Sequence, residues 1–539
     1  MKFLLASFLL GLASACGFER LGLWPLTLLA FVGLLWLVDQ ASSLRSALAR
    51  GWWFGVGQFV LGLNWIATAF TFQAKMPHWL GWIAVVLLSL YLAAYPAMAT
   101  GLAWRWGSLP PPPAGEGRGE GLSDSPAITA PHPPPLRDAS LSRRRERGLG
   151  LVLVFAAAWI VTEWLRATMF TGFAWNPIGV ALLPLPVARL STIVGTYGLS
   201  GILVLLAGVL LLAFRRRWVL AAAVLGSIAL ATVLAAFASP APLPATGLDV
   251  RIVQPNIGQQ DKWREGFEEE NFARLARLTG EPTAAPRLVL WPEAAVTEPL
   301  GDNRLLKAAE VEALRRRIGA LLGPDDLLLT GGITLVSPDG YSVTEATNSV
   351  FAMDASGHVL ARFDKAHLVP YGEYLPMRPI LSAIGLSRLA PGDLDYNPGP
   401  GPQTLVLPLA GEVGFQICYE IIFSGDVVDA DNRPGFIFNP SNDAWFGAWG
   451  PPQHLAQARL RALEEGLPVL RSTPTGISAV IDAEGRLLHS LPWQAAGFID
   501  ATLPPAKRPT LFAHFGNLLP FLLALLLVMI AVAVRRKAR

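Results

Sequence analysis

Val413-Gly414-Phe415-Gln416-Ile417-Cys418-Tyr419-Glu420 is an apolar, strand-like run that stops on a cysteine, a tyrosine and a carboxylate. Its period suits a β-strand, and the polar triplet marks the strand's end. Cys418 is one of two cysteines in 539 residues, and the other, Cys16, lies far upstream in an apolar segment. No disulfide between them and no zinc spacing is expected. An apolar-flanked cysteine is often plain core. At a strand end it is also a candidate nucleophile.

Reading outward, the runs 248–254, 288–291, 327–330, 349–353 and 436–438 alternate as strands do, and helical patterns cover 265–279, 303–322 and 453–466. Strands alternating with helices predict a layered α/β domain over residues 247–507, large enough for a full core. Two more strand ends carry chemistry: Trp291-Pro292-Glu293, and Asp364-Lys365-Ala366-His367-Leu368-Val369-Pro370-Tyr371-Gly372-Glu373. Singly, a strand-end Glu is a solvated turn residue and a Lys is a surface charge. Together, Glu, Lys and Cys supply the base, oxyanion stabiliser and nucleophile of acyl transfer through a thioester.

The rest of the chain belongs in a membrane. Apolar residues make up 52% of the sequence and the mean hydropathy is +0.42. Charges are nearly absent from 1–104 and 149–238. Apolar segments at 3–18, 21–38, 51–71, 79–104, 149–165, 188–213 and 218–238 predict about seven spans within 1–238, and 516–534 predicts one after the α/β domain. The run ending at Cys16 is read as a short first span rather than a cleaved signal, because the next apolar segment follows at once. The expected fold is thus a multi-span α-helical membrane bundle of about eight helices plus one α/β domain.

Basic residues set the orientation. Arg45 and Arg50, Arg105 to the run Arg143-Arg144-Arg145, Arg215-Arg216-Arg217 and the tail from Arg535 fall in alternate loops. These loops and both termini are therefore expected in the cytoplasm, and the α/β domain outside. Residues 107–148, rich in Pro, Gly and Arg, are expected to form a disordered cytoplasmic loop. Glu163 and Arg166 stand three apart, as a structural pair or a substrate contact, before an interfacial loop with Phe173 and Trp175. The net charge of +3, with no basic stripe, argues against nucleic acid. Nothing calls for a metal or organic cofactor.

Trp291-Pro292-Glu293, Lys365-x-His367-Leu-Val-Pro-x-Gly-Glu373, Cys418-Tyr419-Glu420 and Ser441-Asn442-Asp443-Ala444-Trp445-Phe446, in this order, resemble the nitrilase superfamily. The resemblance implies an αββα sandwich and a Glu-Lys-Cys triad. With spans before and after the domain, nearly the whole chain resembles the apolipoprotein N-acyltransferases, which complete bacterial lipoprotein maturation. This implies Glu293 as general base, Lys365 as oxyanion stabiliser and Cys418 as nucleophile. It implies Glu373 as an acidic neighbour tuning Lys365, and Tyr419 and Glu420 as neighbours of the nucleophile, the Tyr419 N–H completing an oxyanion hole. Trp263 matches a tryptophan on a loop near the site. The helix from Gln453-His454 to Glu464 is taken as structural. Thr473-Pro474-Thr475 stands where the family tends to have Asn. The implied partners are membrane lipids: a phospholipid donor, usually phosphatidylethanolamine, and a diacylated apolipoprotein acceptor. The implied location is the bacterial inner membrane with a periplasmic catalytic domain. The apolar stretch 374–390 is either a lid dipping toward lipid or a loop packed on the domain. Two rival readings remain: a membrane-anchored carbon-nitrogen hydrolase of amidase type, and a non-catalytic receptor or transporter carrying a degenerate domain.

Overall fold

The computed structural model describes the backbone of residues 1–72, 76–107, 137–262, 264–383, 385–389 and 394–537, with side chains except at 137–147 and 537. Among the described residues, five helical segments are long and apolar enough to cross a membrane: Leu80–Gly107, Gly148–Thr168, Pro186–Phe214, Trp218–Phe237 and Leu518–Arg536. A sixth is the pair Leu44–Gly62 and Ile66–Phe72, bent by 49°. Lys2–Ala15 and Trp24–Asp39 are apolar but only 14 and 16 residues long, less than the roughly 20 residues that a full crossing takes. These eight lie where the apolar segments predict them.

Two boundaries differ from expectation. The fifth segment belongs to a helix that starts at Arg137, so the expected loop 107–148 ends earlier. Arginine is a good helix former and lets the helix run on past the apolar part. Residues 108–136 lie outside the described residues. The third span starts at Leu44, capped by Ser43, whose hydroxyl accepts from the Ser46 N–H at 3.2 Å. Arg45 and Arg50 therefore sit on this helix rather than in a loop. Arg50 is buried and donates to the Leu37 carbonyl near the end of the preceding helix, where a cation complements the helix dipole. Glycines set the closest helix approach. A Cβ at Gly11 would strike the backbone of Phe54 and Gln58, and one at Gly57 the backbone of Phe8 and Leu12, a small-residue contact typical of membrane helices.

The α/β part is a sandwich of two sheets. One runs, in spatial order, Gly497–Thr502, Asp249–Gln254, Arg287–Leu290, Leu327–Val336, Glu345–Met353, Val359–Asp364, with Gly301–Asp302 beside Leu327–Val336. The other runs Leu487–Ser490, Ala479–Ile481, Val469–Ser472, Phe436–Pro440, Gly411–Phe415, Thr404–Leu407. Both are mixed: the strands joined through helices pair parallel and the hairpins antiparallel. Alternation assigns the faces. Leu288, Leu290, Leu327, Leu329, Val350 and Ala352 point into the sandwich, while Val289, Trp291, Leu328, Phe351 and Met353 pack with Phe272, Leu275 and Ile318 of the outer helices Glu268–Thr279 and Ala308–Gly319. Phe363 and Phe415 stack across the interior at 5.5 Å.

Helix Gly450–Glu465 joins the two parts. It begins with Pro451 and Pro452, which suit a first turn, and stops at Gly466 in the left-handed conformation. It lies between the second sheet and the bundle and is buried nearly all round. Gln453 accepts from Trp175 (2.8 Å) and Asn176 (2.9 Å), and Glu464 accepts from Thr196 (2.6 Å) and pairs with Arg461 (2.6 Å).

Candidate active site

Glu293 follows strand Arg287–Leu290 on a turn that seats directly on the neighbouring strand. The Gly331 N–H donates to the Pro292 carbonyl (3.2 Å) and the Gly331 carbonyl accepts from Ala295 (3.1 Å). Any Cβ at Gly331 would collide with Glu293, so that glycine is needed for the approach. Lys365 follows strand Val359–Asp364 and continues its ladder, donating its N–H to the Asn348 carbonyl at 2.8 Å. The two strand ends thus bring Glu293 and Lys365 together, with Nζ 3.7 Å from Glu293 Oε1. Glu373 lies closer, its Oε1 3.0 Å from Nζ, while its Oε2 accepts from the Val369 N–H at 2.8 Å.

Asn348 completes this cluster and was not singled out from sequence. Its Nδ2 donates to Glu293 Oε1 at 2.7 Å and to Glu373 Oε1 at 2.9 Å. It separates two carboxylates that would otherwise repel. The signal was weak: Asn348 lies between Thr347 and Ser349 in the polar first half of strand Glu345–Met353, and nothing local sets it apart. Glu293 Oε2 is buried and, among the described residues, has no hydrogen-bond partner. Lys365 is 1% exposed. Burial alone would push its pKa down, but Glu373 and then Glu293 outweigh that and hold it above the ordinary range. Lys365 is therefore a fixed cation. A second lysine, Lys262, donates to the Glu293 carbonyl at 3.4 Å, and burial lowers its pKa to about 8.

Cys418 opens the short turn Cys418–Ile422 and has a positive φ of 52°. That left-handed conformation costs an L-residue roughly 1–2 kcal/mol and persists only where its surroundings enforce it. Three contacts do so. Glu420 accepts from the Ile417 N–H (2.7 Å) through Oε2, and from Ala366 (2.8 Å) and His367 (3.0 Å) through Oε1. It thereby straps the Cys418 turn to the Lys365 string. His454 Nε2 lies 3.0 Å from the Cys418 carbonyl, so that nitrogen carries the proton. Its Nδ1 sits among Asp443 Oδ1 (2.9 Å) and Arg471 Nη2 (3.0 Å), and Arg471 also binds Asp443 at 2.7 Å. Burial and then Arg471 hold the imidazole below its usual range, which keeps the ring neutral. Burial, and then Glu293, push the Cys418 thiol well above its ordinary value, while Lys365 pulls the other way. The Asn442 backbone N–H also acts to lower the pKa of the thiol.

The Tyr419 hydroxyl donates to the Gly172 carbonyl (3.4 Å) on the bundle, and its ring packs edge-on against Phe423. Trp263 lies outside the described residues. So do residues 384 and 390 of the stretch 374–390; within the remainder, Leu375 and Arg388 are buried while Met377 and Ile380 are each 63% exposed. Arg388 donates to the Glu373 carbonyl at 3.2 Å, and Asp395 accepts from the Leu375 N–H at 3.1 Å and from Arg378. Thr473, in the stretch that departs from the family pattern, and Ser478 both bond Gln254. Among the described residues no group of three His, Cys, Asp or Glu side chains is placed to hold a metal ion.

Comparison with known proteins covers both parts. Residues 10–209 match the apolipoprotein N-acyltransferase N-terminal domain, and residues 249–508 match the carbon-nitrogen hydrolase family. An apolipoprotein N-acyltransferase of Rhodopseudomonas palustris is 34% identical over 98% of this chain and 94% of its own length. One of Caulobacter vibrioides is 35% identical over 97% and 93%, respectively. Identity of this extent runs through the bundle and the α/β domain alike, and so the chain belongs to the apolipoprotein N-acyltransferases, acyltransferases of the bacterial inner membrane.

Proposed function

We propose that the protein moves a fatty acyl group from a membrane phospholipid to Cys418 and from there to the α-amine of the diacylglyceryl-cysteine of an apolipoprotein. The observation that carries this reading is geometric: Glu420 ties the turn of the buried Cys418 to the Lys365 string, and Lys365 Nζ stands 3.7 Å from Glu293. Glu293 takes the thiol proton through its unpartnered Oε2 as sulfur attacks the ester carbonyl. Lys365 and the Tyr419 N–H stabilise the oxyanion. Collapse expels the lysophospholipid oxygen, which recovers the proton from Glu293, and leaves a thioester. The acceptor amine then attacks, Glu293 takes its proton, the amide forms, and the thiol is restored. One nucleophile used by two substrates in turn gives ping-pong kinetics. Glu373 and Asn348 orient Lys365 and Glu293, and Glu420 holds the turn.

Both substrates are lipid-anchored, and exposing a chain to water costs about 0.8 kcal/mol per CH₂. Chemistry must therefore occur at the bilayer surface. The distribution of arginines supports a periplasmic catalytic domain and cytoplasmic termini. The exposed Met377 and Ile380 suit a lid that meets lipid, with 374–390 tethered at Leu375 and Arg388.

The test is an intact mass of detergent-purified protein incubated with phosphatidylethanolamine and no acceptor. The expected result is a gain of one acyl group on Cys418, absent in Cys418→Ala. Unmodified protein with unhydrolysed lipid would overturn the proposal in favour of an anchored amidase.

A further inference from the structure

Glu163 and Arg166 sit at the outer end of helix Arg137–Thr168, three residues apart and almost fully buried, at 5% and 3% exposure. A self-contained ion pair would spend its hydrogen bonds internally. This one does not. The two charges are 3.9 Å apart, at the limit of contact, and each reaches instead for the irregular loop that follows. Arg166 Nη1 donates to the carbonyls of Phe173 (2.9 Å) and Trp175 (2.8 Å), and Glu163 Oε1 accepts from the Ile178 N–H (3.0 Å). Phe170 and Asn176 hold positive φ within the loop, so the backbone is locally strained and needs this restraint.

The same loop touches both chemical strings. The Thr171 carbonyl lies 3.1 Å from His367 Nε2 on the Lys365 string. The Gly172 carbonyl accepts from Tyr419, next to the nucleophile. The Trp175 ring lies 5.1 Å from that of His454, which holds the Cys418 carbonyl, and its Nε1–H donates to Gln453, the neighbour of His454. An irregular segment at the edge of a bundle needs its polar groups satisfied by protein. Here the bundle satisfies one side and the catalytic domain the other.

We propose that Arg166, oriented by Glu163, is a positioning residue for acyl transfer: it fixes the 171–176 loop, which sets the Cys418 turn through Trp175 and His454 and the Lys365 string through His367. The inference rests on Cys418 being the nucleophile. It assigns to the bundle a share in the chemistry beyond holding lipid.

The experiment uses the full chain in detergent with phosphatidylethanolamine as donor, and follows Cys418 acylation by mass under single-turnover conditions at several lipid concentrations. Arg166→Gln is expected to slow acylation at saturating lipid on the order of a hundredfold, the scale of a small misplacement of reacting groups, with the half-saturating lipid concentration unchanged. Arg166→Lys, which can still donate to both carbonyls, is expected to recover most of the rate. A folded Arg166→Gln that acylates at the wild-type rate would overturn the proposal. So would a loss that Lys fails to rescue while both variants melt early, which is the signature of a merely structural role. If Arg166→Gln does not fold, Trp175→Phe decides: it keeps an aromatic face toward His454 but deletes the bond to Gln453 and part of the indole's packing. A slowed rate at unchanged half-saturation supports the proposal, and an unchanged rate overturns it. Wild-type protein that takes up no acyl group would overturn the Cys418 reading itself, and this inference with it.

Discussion

Glu420→Gln separates activity from stability. The side chain keeps its shape, so no cavity forms. In the better amide orientation its oxygen still serves Ala366 and His367, and its NH₂ faces the Ile417 N–H, which loses a 2.7 Å bond. A stranded buried donor costs about 1–3 kcal/mol. An opposing effect has similar size. Burial pushes the Glu420 pKa up from 4.5 to about 7, against the three backbone N–H groups and Lys365. A carboxyl raised on folding gives stability that is fully present below its unfolded pKa and is lost as pH rises through its folded one. Between about pH 4.5 and pH 7 wild-type protein therefore forfeits about 3 kcal/mol that the glutamine never loses. Expected melting curves show the variant below wild type at pH 5 and level with it near pH 8. The acylation rate at pH 8 should nonetheless fall on the order of tenfold or more, because the strap between the Cys418 turn and the Lys365 string is broken on one side. A melting difference that is the same at both pH values would refute the assignment of the buried charge. Wild-type acylation in a folded variant would refute the strap.

Four further outcomes follow from the same geometry. Asn348→Leu removes the donor shared by Glu293 and Glu373, and single-turnover acylation should drop at least tenfold while Lys365 remains charged. Lys365→Met leaves two buried carboxylates without their cation; the loss should be about 3–5 kcal/mol, with no thioester formed at any pH. Glu373→Gln should be milder than Lys365→Met in melting temperature, since Glu293 still faces Nζ at 3.7 Å. Gly57→Leu forces a side chain into the backbone of Phe8 and Leu12 and should abolish recovery of folded protein in a detergent extraction, whereas Gly226→Leu, with nothing within 4 Å of its Cβ, should be neutral.

The sequence carried the bundle because a span must be apolar over its full length, a signal too long to miss. It placed the span boundaries less well. Arg50 looked like a loop charge, and only the carbonyl of Leu37 explains its position on a helix. The three strand ends of the site were legible because each breaks an apolar run with residues of matching chemistry. The edge strands Thr404–Leu407 and Leu487–Ser490 were not, since the first is only partly buried, the second is exposed, and neither follows a clean alternation. Helix Gly450–Glu465 was seen, but not its role. Its polar residues, Gln453, His454, Arg461 and Glu464, have partners far away in sequence, and no local pattern names them. The same holds for Asn348, whose two acceptors come from separate loops.

In the proposed mechanism, the charges of the cluster favour Glu293 as the group that moves the proton. Lys365 is held cationic by Glu373 and Glu293, so it cannot accept. His454 is neutral, its Nε2–H is committed to the Cys418 carbonyl, and its Nδ1 accepts from Arg471. Among the described residues, Glu293 alone combines a position in the thiol's field with a buried, unpartnered oxygen. Transfer from sulfur to that oxygen creates no new charge in the low-dielectric site; it moves one negative charge from Glu293 to sulfur, where Lys365 also acts on it. The raised thiol keeps Cys418 protonated at rest, and so little exposed to oxidation. Proton loss is then favoured when a carbonyl is present to take up the charge. Cys418 is itself only 5% exposed. On the proposed mechanism, a thioester formed there would be shielded from water, which favours a delivered amine over solvent as the acceptor.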